Sequence, residues 1–197
     1  MKVAGREITT RELTLIGIML AITTLLDYTF GVIPLPMVSA TIVHIPTVIA
    51  GIIAGPVVGA IVGFFMGLES LIHSATRPPS ILAPLFVNPL ISILPRIFIG
   101  IVSYYAYNGF KKIFKGKHKE AISIFLGAAL GSLTNTIGVL SMIYIVYADK
   151  VEAILQNTTA GAFVIAVAST NGVAELIVTG VIAVPIVMAV KKIWSTR

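Results

Sequence analysis

Residues 89–110 read PLISILPRIFIGIVSYYAYNGF, and the interpretation of the whole chain depends on them. The stretch is long enough to cross a membrane as a helix, and its only charged residue is Arg96. At ~1.5 Å per residue of helix, Arg96 lies roughly 10 Å below one membrane surface. A guanidinium at that depth costs at least ~2.5–3.5 kcal/mol unless it faces a polar cavity or a partner. Arg96 therefore predicts a functional site inside a membrane helix.

The composition of the chain agrees with that interpretation. Of the 197 residues, 57% are hydrophobic and only 11% are charged, whereas a soluble domain averages about 25% charged residues. Only short polar stretches separate the apolar runs, which leaves no room for a soluble domain. We therefore expect one integral membrane domain over residues 1–197, with several spans in the cell membrane.

The net charge of +6 reflects membrane topology rather than nucleic-acid binding. Most of the basic residues fall into three clusters, namely Lys2, Arg6 and Arg11, then Lys111, Lys112, Lys115, Lys117 and Lys119, then Lys191, Lys192 and Arg197. Because basic residues concentrate on the cytoplasmic side of membrane proteins, both termini and the central loop 111–119 are predicted to be cytoplasmic.

The apolar runs predict an all-α bundle of six membrane helices. The predicted helices are about 11–31, 40–55, 57–73, 89–110, 120–147 and 163–190. Outer segments at 32–39 and 74–87, and a loop containing Asp149, Lys150 and Glu152, connect them. A five-span alternative, with 40–73 as one bent element, would place the two termini on opposite sides. An even number of spans agrees with the charge pattern.

Small residues recur at helical spacing in two parts of the chain. Glycine occupies positions 51, 55, 59, 63 and 67, and this spacing favours close packing of helices inside the bundle. Gly17 and Ala21 differ, because the first helix is expected at the edge of the bundle. For these two residues, docking to another protein and internal packing both remain open.

Four polar residues inside the apolar runs share the outer half of the predicted bilayer, namely Arg96, Asn135, Asn171 and Glu175. They predict a cavity open to the outside. The start of the fourth helix favours anions, so a solute carboxylate held by Arg96 is the sharpest ligand hypothesis. In the alternative, Arg96 pairs with Glu175 and the asparagines bridge helices. Asn88 and His44, near the outer surface, complete the predicted substrate-binding set.

Chemical motifs for catalysis are missing from the sequence. Glu69 and His73 have metal-ligand spacing but lack a third ligand, so neither a metal nor a cofactor is predicted. The chain contains no cysteine, no GxSxG elbow and no GxxxxGK[ST] loop. ATP-driven transport would therefore need a separate subunit. An intramembrane enzyme using Glu69/His73 or Arg96/Glu175, and a scaffold without ligand, are the competing functions.

Several motifs resemble one transporter family. They are residues 40–56 (ATIVHIPTVIAGIIAGP), Gly59 and Gly63, Asn88-Pro89, Leu94-Pro95-Arg96, Gly100, residues 131–136 (GSLTNT) and residues 170–175 (TNGVAE). Together they resemble the substrate-binding S components of energy-coupling factor (ECF) transporters, over nearly the whole chain. The resemblance implies a six-helix membrane protein that captures a water-soluble vitamin from outside.

The resemblance also implies partners and a ligand. An S component associates with a transmembrane coupling subunit and two cytoplasmic ATPases, and it topples in the membrane to carry its ligand inward. Small residues on helix one, here Gly17 and Ala21, would dock the coupling subunit, and the segment 32–40 would act as a lid. The sequence looks most like the pantothenate-specific members. Hydroxymethylpyrimidine, cobalamin and riboflavin are the alternative ligands.

Overall fold

The computed structural model describes residues 2–3, 6–29, 32–33, 40–78, 80–156 and 158–195. Its eight helices are α1 (Thr10–Tyr28), α2 (Ile45–Ala54), α3 (Pro56–Thr76), α4 (Pro89–Ser92), α5 (Leu94–Ile113), α6 (Lys119–Leu155), α7 (Ala160–Val167) and α8 (Val173–Ser195). A 3₁₀ turn covers Ala83–Val87 and a π-helical turn covers Ala168–Gly172. Two short antiparallel ladders pair β1 (Lys2–Val3) with β2 (Arg6–Glu7) and β3 (Val32–Ile33) with β4 (Ala40–Thr41).

The prediction of an all-α membrane bundle is confirmed. Among the described residues, four helical stretches are long and apolar enough to cross a membrane, namely Pro56–Thr76, Pro89–Ile113, Lys119–Leu155 and Ala160–Trp194. The apolar helix α2 is shorter, and α1 carries Arg11, Glu12 and Asp27 near its ends. Counting α4–α5 and α7–α8 as continuous stretches gives the six predicted helices. The cytoplasmic placement of both termini stays a prediction.

The fourth predicted helix is interrupted at Ile93, which separates α4 from α5. Pro95 explains the break, because proline has no N–H to donate to the carbonyl four residues earlier. That carbonyl belongs to Ile91, and it instead accepts a hydrogen bond from the guanidinium of Arg96. Asn88 caps the start of α4, since its side-chain oxygen accepts from the N–H of Leu90 at 3.0 Å.

Glycines on α2 and α3 bring these helices against the backbone of α5. A β-carbon added at Gly59 would lie 2.8 Å from Cα of Gly100, and one added at Gly67 would lie 2.7 Å from Cα of Ile93. A β-carbon at Gly63 would overlap the carbonyl of Arg96. The predicted packing role of the 51–67 glycines thus matches the structure, and the packing fixes the backbone on both sides of Arg96.

The end of the fifth helix differs from the sequence prediction. The expected outer loop with Asp149, Lys150 and Glu152 is instead helical, and α6 continues to Leu155. The backbone kinks at Tyr147 (φ −136°, ψ 25°), which lets the last two turns change direction. There Val151 is fully buried, and the Lys150 ammonium lies 4.8 Å from the centroid of the Tyr147 ring. These contacts keep a polar stretch helical.

The start of the second helix also differs, since the stretch expected to begin at residue 40 becomes helical only at Ile45. Pro46 lies in the first turn of α2, where its fixed φ and missing N–H are tolerated. Residues Ala40–Thr41 are extended and pair with Val32–Ile33. The chain therefore enters α2 from a short ladder.

Two substitutions test the glycine packing. Gly63→Ala places a methyl group against the Arg96 carbonyl, so we expect it to lower the free energy of unfolding by roughly 1–3 kcal/mol. Gly109→Ala, also within a helix, meets nothing within 4 Å and should be neutral or slightly stabilising. Thermal unfolding of both variants in the same detergent measures the difference. Equal effects would contradict the packing role.

Candidate functional site

A cavity of about 460 Å³, including its open mouth, lies among α5, α6 and the α7–α8 stretch. The lining residues are Thr41, Phe86, Arg96, Asn135, Thr136, Val139, Leu140, Val167, Asn171 and Glu175. The cavity thus brings together all four polar residues for which a shared outer cavity was predicted.

Arg96 reaches the cavity from the first turn of α5. Its guanidinium donates to the Ile91 carbonyl that Pro95 leaves unpaired, and it lies 5.5 Å from the centroid of the Phe86 ring. The residue is only 6% exposed. The carbonyl and the aromatic ring stabilise the cation, but neither carries a negative charge. The guanidinium can therefore still bind an anion.

Glu175 lines the same cavity without pairing with Arg96. Its Oε1 accepts a hydrogen bond from the backbone N–H of Thr41 at 2.6 Å. In the part of the chain that the structure describes, no ion pair joins Glu175 to Arg96. The cavity therefore presents a cation and a carboxylate as separate groups.

Two asparagines on different helical elements line the cavity with amide groups. Asn135 lies on α6 between Gly131 and Gly138, which pack against Ser103 and Pro95 of α5. Asn171 lies in the π-helical turn Ala168–Gly172. Turns of this type are frequent at functional sites. Close packing of α6 on α5 thus places Asn135 near Arg96.

Two buried polar atoms in this cavity have no protein partner among the described residues. They are Nε of Arg96, which is a donor, and Oδ1 of Asn135, which is an acceptor. Leaving such a group unsatisfied costs about 1–3 kcal/mol. Arg96 and Asn135 therefore have hydrogen-bonding capacity that the described protein groups do not use.

Part of the cavity lining is apolar. It consists of Phe86, Val139, Leu140 and Val167. These residues, and also Thr41 and Thr136, were not among the site residues predicted from the sequence. The sequence spacing does indicate two of them, because residues one helical turn apart share a face of the helix. Val139 follows Asn135 by one turn, and Val167 precedes Asn171 by one turn. The cavity thus suits a small solute with both polar and apolar parts.

His44 and Asn88, both predicted to contact substrate, lie outside this cavity. His44 is fully buried, with Nε2 2.8 Å from Oγ1 of Thr179, so it joins the entry of α2 to α8. Asn88 caps α4, and its Nδ2 donates to the Tyr147 hydroxyl at 3.2 Å. In both cases a side chain from a distant part of the sequence pairs with the polar group, which the sequence spacing did not reveal.

The residues singled out on α1 and α3 also have defined surroundings. Gly17 and Ala21 are exposed, and a β-carbon at Gly17 meets nothing within 4 Å. His73 Nδ1 lies 2.7 Å from Oδ2 of Asp27, and Glu69 accepts a hydrogen bond from Thr24. Among the described residues, no three acidic or histidine side chains form a metal-ligand group.

Comparison with known proteins agrees with this architecture. The family model for the ECF transporter, substrate-specific component, matches residues 11–187. The Pantothenic acid transporter PanT of Lactococcus lactis subsp. cremoris (strain MG1363) is 28% identical over 190 residues, covering 90% of each chain. The Pantothenate transporter PanT of Leuconostoc mesenteroides subsp. mesenteroides is 31% identical over 163 residues, covering 78% of each chain.

The family match extends from the start of α1 into the last turns of α8, so it includes every described residue that lines the cavity. Proteins of this family are transporter components that take a vitamin and work with an ECF module. A multi-pass location in the cell membrane agrees with the four long apolar helical stretches. The chain belongs to the family of substrate-specific components of ECF transporters.

Proposed function

We propose that this protein binds pantothenate in the cavity beside Arg96 and passes it to an ATP-driven ECF module. The observation that carries the proposal is that Arg96 and Asn135, which line one cavity, each have a buried polar atom without a partner among the described residues: Nε of Arg96 and Oδ1 of Asn135. The names of the two PanT relatives support the same ligand. The coupling module would consist of a transmembrane subunit and two cytoplasmic ATPases.

The chemistry of pantothenate matches the groups around the cavity. Its carboxylate fits the Arg96 guanidinium, which can bind a carboxylate through two parallel hydrogen bonds. Its amide and two hydroxyl groups fit the side chains of Asn135, Asn171 and Glu175. The carbon bearing its two methyl groups fits the apolar part of the cavity lining. An anionic ligand with a branched apolar centre would thus use all parts of the cavity.

The charge distribution along α5 favours a cavity that opens to the outside. Arg96 lies in the first turn of this helix, whereas Lys111 and Lys112 lie in its last turn. At ~1.5 Å per residue, the fifteen residues from Arg96 to Lys111 span roughly 22 Å. Since lysine clusters mark the cytoplasmic surface, the cavity belongs to the opposite half of the membrane.

The exposed small residues on α1 are proposed to dock the coupling subunit. Gly17 and Ala21 lie one turn apart on an open surface of this helix. Small residues at this spacing let a second helix approach closely in lipid. The first helix does not line the cavity, so docking at this surface leaves the binding residues in place.

Removal of the guanidinium tests the binding site. Arg96→Ala should weaken pantothenate binding by about 2–5 kcal/mol, because a buried charge pair is lost. Arg77→Ala removes the same charge from an exposed position outside the cavity, and it should bind like the wild type. Isothermal titration of the purified proteins measures both affinities. Unchanged binding by Arg96→Ala would remove Arg96 from the site.

A ligand series tests which group of pantothenate meets Arg96. The alcohol analogue, in which CH₂OH replaces the carboxylate, should bind the wild-type protein far more weakly than pantothenate does. Arg96→Ala should bind the two ligands almost equally, since the charge that distinguishes them is gone. Titrations with riboflavin, cobalamin and hydroxymethylpyrimidine complete the series. Tighter binding of any of these would contradict pantothenate as the ligand.

A larger side chain on α1 tests the docking surface. Ala21→Leu should preserve pantothenate binding and reduce uptake by the full transporter, because the added branch holds the partner helix away. Ala162→Leu adds the same atoms to another exposed position, on α7, and should preserve uptake. Uptake into vesicles containing the coupling module measures the effect. Normal uptake by Ala21→Leu would refute the assignment of this surface.

A further inference from the structure

A cluster of polar side chains joins α5, α6 and α8 at the ends farthest from the cavity. The hydroxyl of Tyr107 donates to Oε1 of Glu120 at 2.6 Å and accepts from the ammonium groups of Lys111, at 3.1 Å, and Lys191. Lys111 lies 3.2 Å from Oε2 of Glu120, and Lys191 lies 2.9 Å from Oε1. The two lysines therefore converge on one hydroxyl and one carboxylate.

The cluster has spare positive charge. Two ammonium groups face one carboxylate, which leaves one positive charge without a counterpart within the cluster. Each ammonium has three N–H donors, and Tyr107 and Glu120 occupy two of them. The side chains of Lys111 and Lys191 are 43% and 30% exposed, so the remaining donor of each lysine can reach an outside acceptor.

The position of the cluster indicates the chemistry of that acceptor. Lys111 lies two residues before the end of α5, and Lys191 lies four residues before the end of α8. The Tyr107 ring is buried, and both ammonium groups lie over it, 5.5 Å and 4.0 Å from its centroid. Helix ends with basic and aromatic residues lie at the level of the lipid headgroups.

We propose that Lys111, Lys191 and Tyr107 form a binding site for the phosphate of an anionic phospholipid. Basic pockets between membrane helices bind such headgroups. An oxygen of the phosphate would accept the spare N–H of each lysine, and its charge would balance the cluster. Lipid is favoured over an acidic segment of a partner protein, because the site lies at the ends of membrane helices, where headgroups surround it. The bound lipid would hold α8 against α5 and α6.

Native mass spectrometry of the full-length protein tests the proposal. Phosphatidylglycerol and phosphatidylcholine with the same acyl chains are added separately to the detergent-purified protein. The wild type should bind phosphatidylglycerol more tightly, by on the order of tenfold, because two lysines contact its phosphate without a choline nearby. Equal binding of the two lipids by the wild type would overturn the proposal.

Two double variants separate the site from general surface charge. Lys111→Gln/Lys191→Gln should lose the preference for phosphatidylglycerol. Lys115→Gln/Lys117→Gln removes the same charge from the loop 114–118 and should keep the preference. An equal decrease in both variants would overturn the proposal, because general charge would then explain the binding. Retained phosphatidylcholine binding shows that a variant remains folded.

A third variant removes the competing carboxylate. Glu120→Gln should strengthen phosphatidylglycerol binding, since both ammonium groups then lose their internal counter-ion. A cluster that only joins the helices would give no such increase, and that result would overturn the proposal. Loss of coupling-module association in Lys111→Gln/Lys191→Gln, without any lipid preference in the wild type, would assign the cluster to a protein partner instead.

Discussion

The structure depends on how a single guanidinium is accommodated inside a membrane helix. Pro95 has no N–H with which to donate a hydrogen bond to the carbonyl of Ile91. That carbonyl accepts a hydrogen bond from the side chain of Arg96 instead. The proline therefore interrupts the helix and supplies the acceptor that holds the arginine. Because a carbonyl and the Phe86 ring are both uncharged, the cation stays available for an anion. A guanidinium that is unfavourable inside a membrane helix is thereby held in a position where it can bind an anion.

Close helix packing keeps that arrangement in place. Gly59 and Gly63 let α3 approach the α5 backbone at Gly100 and Arg96. Gly131 and Gly138 do the same for α6, which carries Asn135. In lipid, burial of apolar side chains supplies no drive for association, so contact between backbones takes over that role. The glycines therefore act on the site indirectly, by fixing the helices that carry its polar groups.

The sequence predicted the helical bundle and the polar residues that line the cavity. Both follow from the length of the apolar runs and from the free-energy cost of placing polar side chains in a membrane. Long apolar runs identify membrane helices, and a few polar residues within them must face one another or a solute. His44 and Asn88 lie outside the cavity for a different reason, and their contact with substrate stays a prediction. Their partners, Thr179 and Tyr147, come from distant parts of the chain, and spacing along one helix carries no information about them. The extension of α6 beyond Tyr147 was missed because tertiary contacts overrode a polar local sequence.

The molecule separates its proposed tasks among different helices. The helix α1 packs mainly on α2 and α3, whereas the cavity is built from α5, α6 and the α7–α8 stretch. The helices α2 and α3 lie between these parts and contact α5 through their glycines. A partner that binds α1 therefore reaches Arg96 only through this tightly packed layer. Because packed interiors are hardly compressible and transmit strain, a partner docked at α1 would act on the cavity through the helices α2 and α3.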